Sequence, residues 1–273
     1  MKDLLKLYSY ESVHKSEDET GICDWICKWL KTHNIKHNRV GNTIYSLDDH
    51  GPILSAHLDQ VRTNGKACHF YLTDNNHILA YNDKWQRTSL GADDKNGVWI
   101  ILKLLEKGRK FSFIISEGEE VGCVGITKLD TSNVLSAISS EQFALVLDRK
   151  GNTDVLKSGG GTTFCSTLAQ AISNYTGHFK VTTGSISDTK VLCKHCESVN
   201  MSVAYFNPHS ATEYTDWVAL QKILYYVDDL VTDFVHYSTP PKEYAPVVTA
   251  SSNVKNYYSS RYYGGLYDDK EFI

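Results

Sequence analysis

The chain has 273 residues, of which 41 % are hydrophobic and 22 % are charged. These values are ordinary for a globular protein with room for one large α/β domain and a sizeable core. The formal net charge of -4 disfavours nucleic acid and anionic membrane surfaces as partners, and the sequence contains no run of Lys and Arg that would bind phosphates.

The hydrophobic pattern predicts helices that alternate with strands. In chain order, we expect helices at 3–9 and 19–34, strands at 43–49 and 51–59, a β-hairpin at 69–83, a helix at 96–108, strands at 110–120 and 143–151, helices at 162–177 and 188–196, a strand at 198–210, and a long amphipathic helix at 215–236. This alternation is typical of an α/β fold with a mostly parallel sheet.

The composition changes near Ser238, where Pro, Ser, Asn and Tyr become frequent and hydrophobic periodicity is lost. Residues 1–237 are therefore expected to form the folded domain. The Tyr-rich residues 238–273 are expected to form an extended or weakly ordered tail.

The cellular location is predicted from two features. No apolar segment approaches the length needed to span a bilayer, and the N-terminus lacks the apolar core of a signal peptide. The seven cysteines are spread from Cys23 to Cys196 and form no dense disulfide framework. Both features favour a cytoplasmic protein.

Five short segments carry acidic and histidine residues, and each follows or ends an apolar run. In chain order their residues are His57 with Asp59, Asp93, Glu119 with Glu120, Asp148, and His209. Four of the five segments fall at the carboxyl ends of predicted strands, where α/β sheets bind ligands, and the fifth lies in a loop that enters a helix. Buried carboxylates and imidazoles are costly unless a cationic group lies among them. The pattern therefore indicates a pair of divalent metal ions at the edge of the sheet.

Each segment taken alone has an ordinary structural explanation. His57 could be a core histidine, Asp93 a helix N-cap, and Asp148 a cap at a strand end. Glu119 and Glu120 are the most specific pair, because adjacent side chains at a strand end point in different directions. One carboxylate can then bind metal while the other takes a proton from the attacking water. Two histidines with three or four carboxylates favour Zn²⁺, and Mn²⁺ or Co²⁺ would accept the same ligands.

The order His-x-Asp, Asp, Glu-Glu, Asp, His, with the segments GADDKNG and EGEEVG, resembles the co-catalytic di-zinc exopeptidases. That family includes peptidase T, carboxypeptidase G-like enzymes and bacterial leucyl and glutamyl aminopeptidases, and the resemblance covers roughly residues 1–236. It implies a three-layer α/β/α catalytic domain and a metallopeptidase or amidohydrolase acting on small peptides or N-acylated amino acids. The short gaps 60–92 and 149–208 leave no room for the large lid or dimerisation domain of many relatives.

The resemblance also implies which residues bind the two metal ions. His57 and Asp148 would bind one zinc, Glu120 and His209 would bind the other, and Asp93 would bridge them.

Two further carboxylates receive catalytic roles from the same resemblance. Asp59 would orient the first histidine, and Glu119 would act as the general base that later returns its proton to the leaving amine. The segment GSISDTKVL is similar to one that some members place beside the substrate, which makes Asp188 a candidate for binding an ammonium group. Arg149 or Lys150 would suit a substrate carboxylate.

Two other interpretations stay open. The chain could be a binding protein that kept the fold, although retention of the adjacent glutamates argues against this. It could also be an enzyme that uses a single zinc for acyl or glutaminyl cyclisation, which a stoichiometry of one metal would indicate. The sequence predicts no oligomeric state.

Overall fold

The computed structural model describes residues 1–47, 51–139 and 142–233, so the predicted tail at 238–273 lies outside the described residues. The helices are α1 (Lys2–Tyr8), α2 (Glu17–Thr32), α3 (Ala92–Glu106), α4 (Val124–Thr131), α5 (Ser166–Thr176), α6 (Thr189–Leu192) and α7 (Trp217–Thr232). The strands are β1 (Asn38–Val40), β2 (Thr43–Ser46), β3 (Ile53–His57), β4 (His69–Leu72), β5 (His77–Tyr81), β6 (Arg87–Thr88), β7 (Ser112–Ser116), β8 (Phe143–Arg149), β9 (Asp154–Gly159), β10 (Thr162–Thr163), β11 (Lys180–Gly184), β12 (Glu197–Ser202), β13 (Tyr205–Phe206) and β14 (Tyr214–Asp216).

The larger sheet has nine strands in the order β1-β2-β7-β3-β8-β12-β9-β10, with β11 paired to β9. Its four central strands, β7, β3, β8 and β12, are mutually parallel. The antiparallel pairs lie toward the two edges, where β1, β2 and β10 are found. The carboxyl ends of the central strands therefore lie along one edge of the sheet, as the predicted α/β fold requires.

Helices cover both faces of this sheet. Alternate residues of the central strands point to opposite sides, because side chains in a strand alternate. Leu54 and Leu145 join the core that includes residues of α1, α2, α3, α5 and α7. Their neighbours Ile53 and Ala144 join a separate core with residues of α4 and α6. The predicted three-layer α/β/α arrangement is confirmed.

A second, antiparallel sheet holds five strands in the order β13-β14-β5-β4, with β6 paired to β5. The β4–β5 hairpin confirms the prediction for residues 69–83. The pairing of β5 with β14, in which Ile78 lies opposite Thr215, was not predicted. Neither this small sheet nor any other part of the described residues forms a large lid, as expected.

Several predicted boundaries were wrong. The single strand expected at 198–210 is interrupted at Ala204, which has a left-handed φ of 62°, so that β12 belongs to the large sheet and β13 to the small one. The helix expected at 162–177 begins only at Ser166, because Thr162 and Thr163 pair with β9. Helix α4 and strands β9 and β11 were not predicted. None of the helices in the described ranges is both long and apolar enough to cross a bilayer.

Candidate metal centre and active site

His57 is the last residue of β3, and its side chain is 1 % exposed. Its Nδ1–H donates a hydrogen bond to the backbone carbonyl of Asp59 at 2.9 Å. This leaves Nε2 facing two carboxylate oxygens, Oδ1 of Asp93 at 3.3 Å and Oδ1 of Asp148 at 3.5 Å. The first histidine therefore directs Nε2 at a buried acidic cluster.

His209 lies in the loop between β13 and β14, and its side chain is 46 % exposed. Its Nε2 is 2.7 Å from Oε1 of Glu120 and 3.1 Å from Oδ2 of Asp93. Asp93 thus directs one oxygen toward each histidine, and each histidine has a second carboxylate of its own. The predicted placement of His209 at the end of a strand over 198–210 was wrong. His209 follows β13 of the small sheet and does not continue β12.

Two further buried acids, Glu213 and Asp94, hold the backbone around the site. Glu213 accepts the backbone N–H groups of Ala92 and Asp93, both at 3.2 Å, and the hydroxyl of Ser89 at 2.6 Å. Asp94 accepts the backbone N–H of His57 at 3.2 Å. Asp94 belongs to the GADDKNG segment, which the sequence analysis identified. No motif around Glu213 predicts a role for it.

Gly97 allows α3 to approach the site closely. A Cβ at this position would collide with the backbone carbonyl oxygen of Leu147, the residue before Asp148. Because α3 packs on both β3 and β8, this approach brings Asp93 against the ends of the two strands that carry His57 and Asp148.

The Glu119–Glu120 loop is fixed by Asp59, whose carboxylate accepts the backbone N–H groups of Glu119 at 2.9 Å and Glu120 at 3.1 Å. The carboxylate of Asp59 is 3.5 Å from Nδ1 of His57, a longer contact than the bond made by its own carbonyl. The carboxylate of Asp59 therefore holds the glutamate loop, and its backbone carbonyl orients His57. The two glutamates diverge as expected, with Glu120 beside His209 and Oε2 of Glu119 at 4.0 Å from Nε2 of His57.

The pKa values of the clustered carboxylates indicate that added positive charge is needed to keep all of them ionised. Burial, together with the charge of Asp148, raises the pKa of Glu119 to about 9. Burial likewise raises the pKa of Asp148 to about 7, although hydrogen bonding to His57 opposes the shift. Burial disfavours protonated His57, yet the hydrogen bonds that it donates to Asp148, Asp59 and Asp93 raise its pKa well above the usual value. The protein groups alone therefore leave some of these carboxylates protonated near neutral pH.

The spacing of the side chains fits metal ions. Nitrogen and oxygen ligands about 2.0–2.1 Å from a tetrahedral zinc lie roughly 3.3–3.4 Å from one another. The contacts of His57 with Asp93 and Asp148, and of His209 with Asp93, span 3.1–3.5 Å. Two overlapping sets, His57 with Glu119 and Asp148, and His57 with Asp93 and Glu120, have ligand atoms that all lie within 4.8 Å. The donor set and its spacing therefore suit divalent cations.

A cavity of about 530 Å³ opens over the cluster. Its wall includes Tyr205, whose hydroxyl donates to Oδ1 of Asp148 at 3.3 Å and which the sequence interpretation missed. Arg149 also lines the cavity, as its proposed contact with substrate requires.

Asp188 is 2 % exposed and is not among the described residues that line this cavity. One of its carboxylate oxygens accepts the hydroxyl of Ser116, and burial raises the pKa of the group to about 6. A contact between Asp188 and substrate stays a prediction that this burial does not favour.

No family model and no curated protein matches this sequence. Solved structures do match. The aminopeptidase PepT from Bacillus cereus ATCC 10987 superposes with a TM-score of 0.66 at 16 % identity, over 84 % of this chain and 96 % of that one. A tripeptidase from Staphylococcus aureus gives a TM-score of 0.65 at 14 % identity, over 84 % and 96 %. The aminopeptidase APDkam598 from Desulfurococcus kamchatkensis gives 0.63 at 13 % identity, over 89 % and 98 %.

This chain has the fold of those aminopeptidases. The fold implied by the sequence resemblance to the di-zinc exopeptidases is thereby confirmed. At such low identities the likeness concerns the fold, so the chemistry has to be argued from the chain's own residues.

Proposed function

We propose that the protein is a metal-dependent hydrolase of the exopeptidase type, similar to aminopeptidases, that cleaves a peptide or amide bond. The observation that carries this proposal is the position of Asp93. One of its oxygens faces His57 beside Asp148, and the other faces His209 beside Glu120. A carboxylate shared between two separate His–carboxylate pairs is the arrangement that two neighbouring divalent ions require.

The five ligands would be His57 and Asp148 for one ion, Glu120 and His209 for the other, and Asp93 for both. Zn²⁺ fits these nitrogen and oxygen donors, and Mn²⁺ or Co²⁺ would also be accepted. When bound, the two ions would polarise the scissile carbonyl and lower the pKa of the attacking water.

Glu119 is the general base in this proposal. Its carboxylate lines the cavity and lies beyond hydrogen-bond distance of His57, so it is not engaged by the histidine. It would take a proton from the attacking water and pass that proton to the nitrogen of the leaving amine. Asp59 would hold Glu119 in position through the backbone N–H that its carboxylate accepts. Tyr205, bonded to Asp148, would keep that ligand oriented.

The substrates proposed are small peptides or N-acylated amino acids. The cavity is of a size that holds a small molecule and bears the cluster on its wall. We keep the cytoplasm as the proposed location and propose no nucleic-acid or membrane partner, since the net charge is -4.

The test is a metal-loaded activity screen over aminoacyl amides and acyl-amino-acid amides, paired with Glu119→Ala. We expect about two ions per chain in both proteins and a fall in kcat of roughly 10²–10⁴-fold in the variant. Glu197→Ala is the matched control, because Glu197 is exposed and begins β12 at the opposite end of the sheet.

Turnover that survives in Glu119→Ala would exclude Glu119 as the base. One ion per chain, with a cyclised product, would instead support the single-zinc cyclisation enzyme. Metal binding without activity on any substrate of the panel would support a binding protein that retains the fold.

A further inference from the structure

The charged groups around the main cavity fall into two sets. Four carboxylates line it, and all four belong to the candidate metal centre, namely Asp93, Glu119, Glu120 and Asp148. Apart from His209, the other charged side chains in the described wall are Arg149 and Lys150, both cationic. Two divalent ions would offset the charge of the four carboxylates. The remaining charge on the cavity wall, which a substrate would contact, is therefore positive.

A smaller cavity of about 310 Å³ adjoins the first and shares Gly122, Cys123 and Ile186 with it. The charged residues in its described wall, Lys190 and Lys194, are also cationic. The described walls of the two cavities thus offer no carboxylate, outside the metal centre, to bind the ammonium group of a peptide.

Arg149 is held in a defined orientation. It follows Asp148 directly at the end of β8, and its Nε and Nη2 donate to Oδ2 of Asp154 at 3.2 and 3.1 Å. Its side chain is only 19 % exposed. A Cβ at Gly184 would lie 3.3 Å from Nη1, so the glycine leaves room beside this nitrogen. An arginine already fixed by an aspartate loses little further entropy when it binds a ligand.

Lys150 stands next to Arg149, is exposed, and has no ion-pair partner among the described residues. Its charge is therefore not offset within the described ranges, in contrast to that of Arg149. Together the two residues form a cationic wall directly beside one candidate metal ligand.

We propose that this wall binds a free carboxylate of the substrate, so that the preferred substrates are short peptides or N-acyl amino acids whose α-carboxylate lies next to the scissile amide. The proposal rests on the proposed function, because it takes the main cavity as the active site. A guanidinium presents its N–H donors in a planar fork that matches a carboxylate, and an unpaired lysine adds favourable charge. Residues 1–47, 51–139 and 142–233 contain no large lid, so within these ranges the catalytic domain itself supplies this recognition.

The experiment measures binding by calorimetry to metal-loaded Glu119→Ala protein, which would not consume the ligand. The probes are alanyl-alanine and its C-terminal amide, which differ only in the carboxylate, and alanyl-glutamate amide, which carries a side-chain carboxylate instead. We expect the free acid to bind at least tenfold more tightly than either amide. Adding Arg149→Gln with Lys150→Gln should remove the preference and leave the metal content unchanged.

Arg109→Gln is the matched control. Arg109 also bonds an aspartate through Nε and Nη2, at 2.6 and 3.2 Å to Asp228. It lies beyond the far end of α3, a helix of 15 residues and therefore about 22 Å long that begins at the site. The preference for the free acid should be intact in this variant.

Each outcome decides the proposal. Equal binding of acid and amide, or no measurable binding of either, would overturn it, as would tighter binding of the side-chain acid. A preference that persists without Arg149 and Lys150 would also overturn it, because the metal ions or Lys190 and Lys194 would then bind the carboxylate. Wild-type protein that shows the binding preference but hydrolyses nothing would instead refute the proposed function and leave the recognition standing.

Discussion

The two halves of the candidate metal centre are built differently. His57 and Asp148 lie at the ends of parallel strands in the middle of the large sheet, and His57 is 1 % exposed. Glu120 and His209 lie in loops, and the histidine side chain is 46 % exposed. One half is therefore part of the core, whereas the other lies in two loops: Asp59 holds the loop of Glu120, and the loop of His209 joins two strands of the small antiparallel sheet.

This difference has consequences for energetics. The charges of the buried half are removed from water, so each depends on its partners, whereas His209 remains largely hydrated. We therefore expect the buried half to dominate the stability of the protein with metal chelated, and the ion held by the exposed half to dissociate first.

The largest effect is expected from His57→Ala. The variant leaves the carboxylate of Asp148 buried without its imidazole partner and removes one of the two imidazoles beside Asp93, which should cost about 3–5 kcal/mol of unfolding free energy in the presence of a chelator. His209→Ala removes a half-exposed contact and should cost about 1 kcal/mol or less. Urea denaturation measures both values, and metal analysis should show ion loss in each variant. Equal destabilisation by the two variants would refute the asymmetry.

Asp188, a buried carboxyl group, should make the stability of the protein depend on pH. Burial raises the pKa of this carboxyl to about 6, so the folded state keeps a proton that the unfolded chain has already lost. The contribution of Asp188 to the unfolding free energy should therefore fall as the pH rises from about 4 to 6, by about 3 kcal/mol in total. Asp188→Asn cannot ionise, and its amide oxygen can still accept from Ser116. With metal chelated, it should match wild type near pH 4 and exceed its stability at pH 8.

The control for this pH series is Asp74→Asn, in the exposed turn between β4 and β5. The difference in unfolding free energy between Asp188→Asn and wild type should grow with pH, whereas a difference that is constant from pH 4 to 8 would contradict the assigned burial effect.

Asp59 links the two halves, and its substitution should cost less stability than that of His57. Asp59→Asn leaves one carbonyl oxygen for two backbone N–H groups, those of Glu119 and Glu120, which should cost about 1–3 kcal/mol. Because the loop carries the proposed base, kcat should fall while two ions stay bound. The control is Asp216→Asn at the start of α7, where Asn serves as well as Asp as an N-cap. Unchanged kcat in Asp59→Asn would show that the loop holds its position without this residue.

Much of the fold was predictable because its causes are local. Apolar runs identified β3, β7 and β8, and helical periodicity identified α2, α3 and α7. The small sheet was not predictable, because β5 pairs with β14, which lies about half the chain length away in sequence, and no local pattern records that partnership. The break at Ala204 was missed for a related reason. The sequence around Ala204 is typical of a strand. Its left-handed conformation occurs together with a hydrogen bond from its N–H to the backbone carbonyl of Gly151.

The sequence by itself determined the chemical content of the site: two imidazoles and a set of carboxylates in order, placed where apolar strands end. Residue type and position at a strand end depend only on neighbouring residues, so they can be read directly. The tertiary structure alone decided that each oxygen of Asp93 faces a different histidine, that buried Glu213 holds its backbone, and that the remaining cavity wall is cationic. These features arise from contacts between distant segments, and such contacts exist only once packing of the core has brought the segments together.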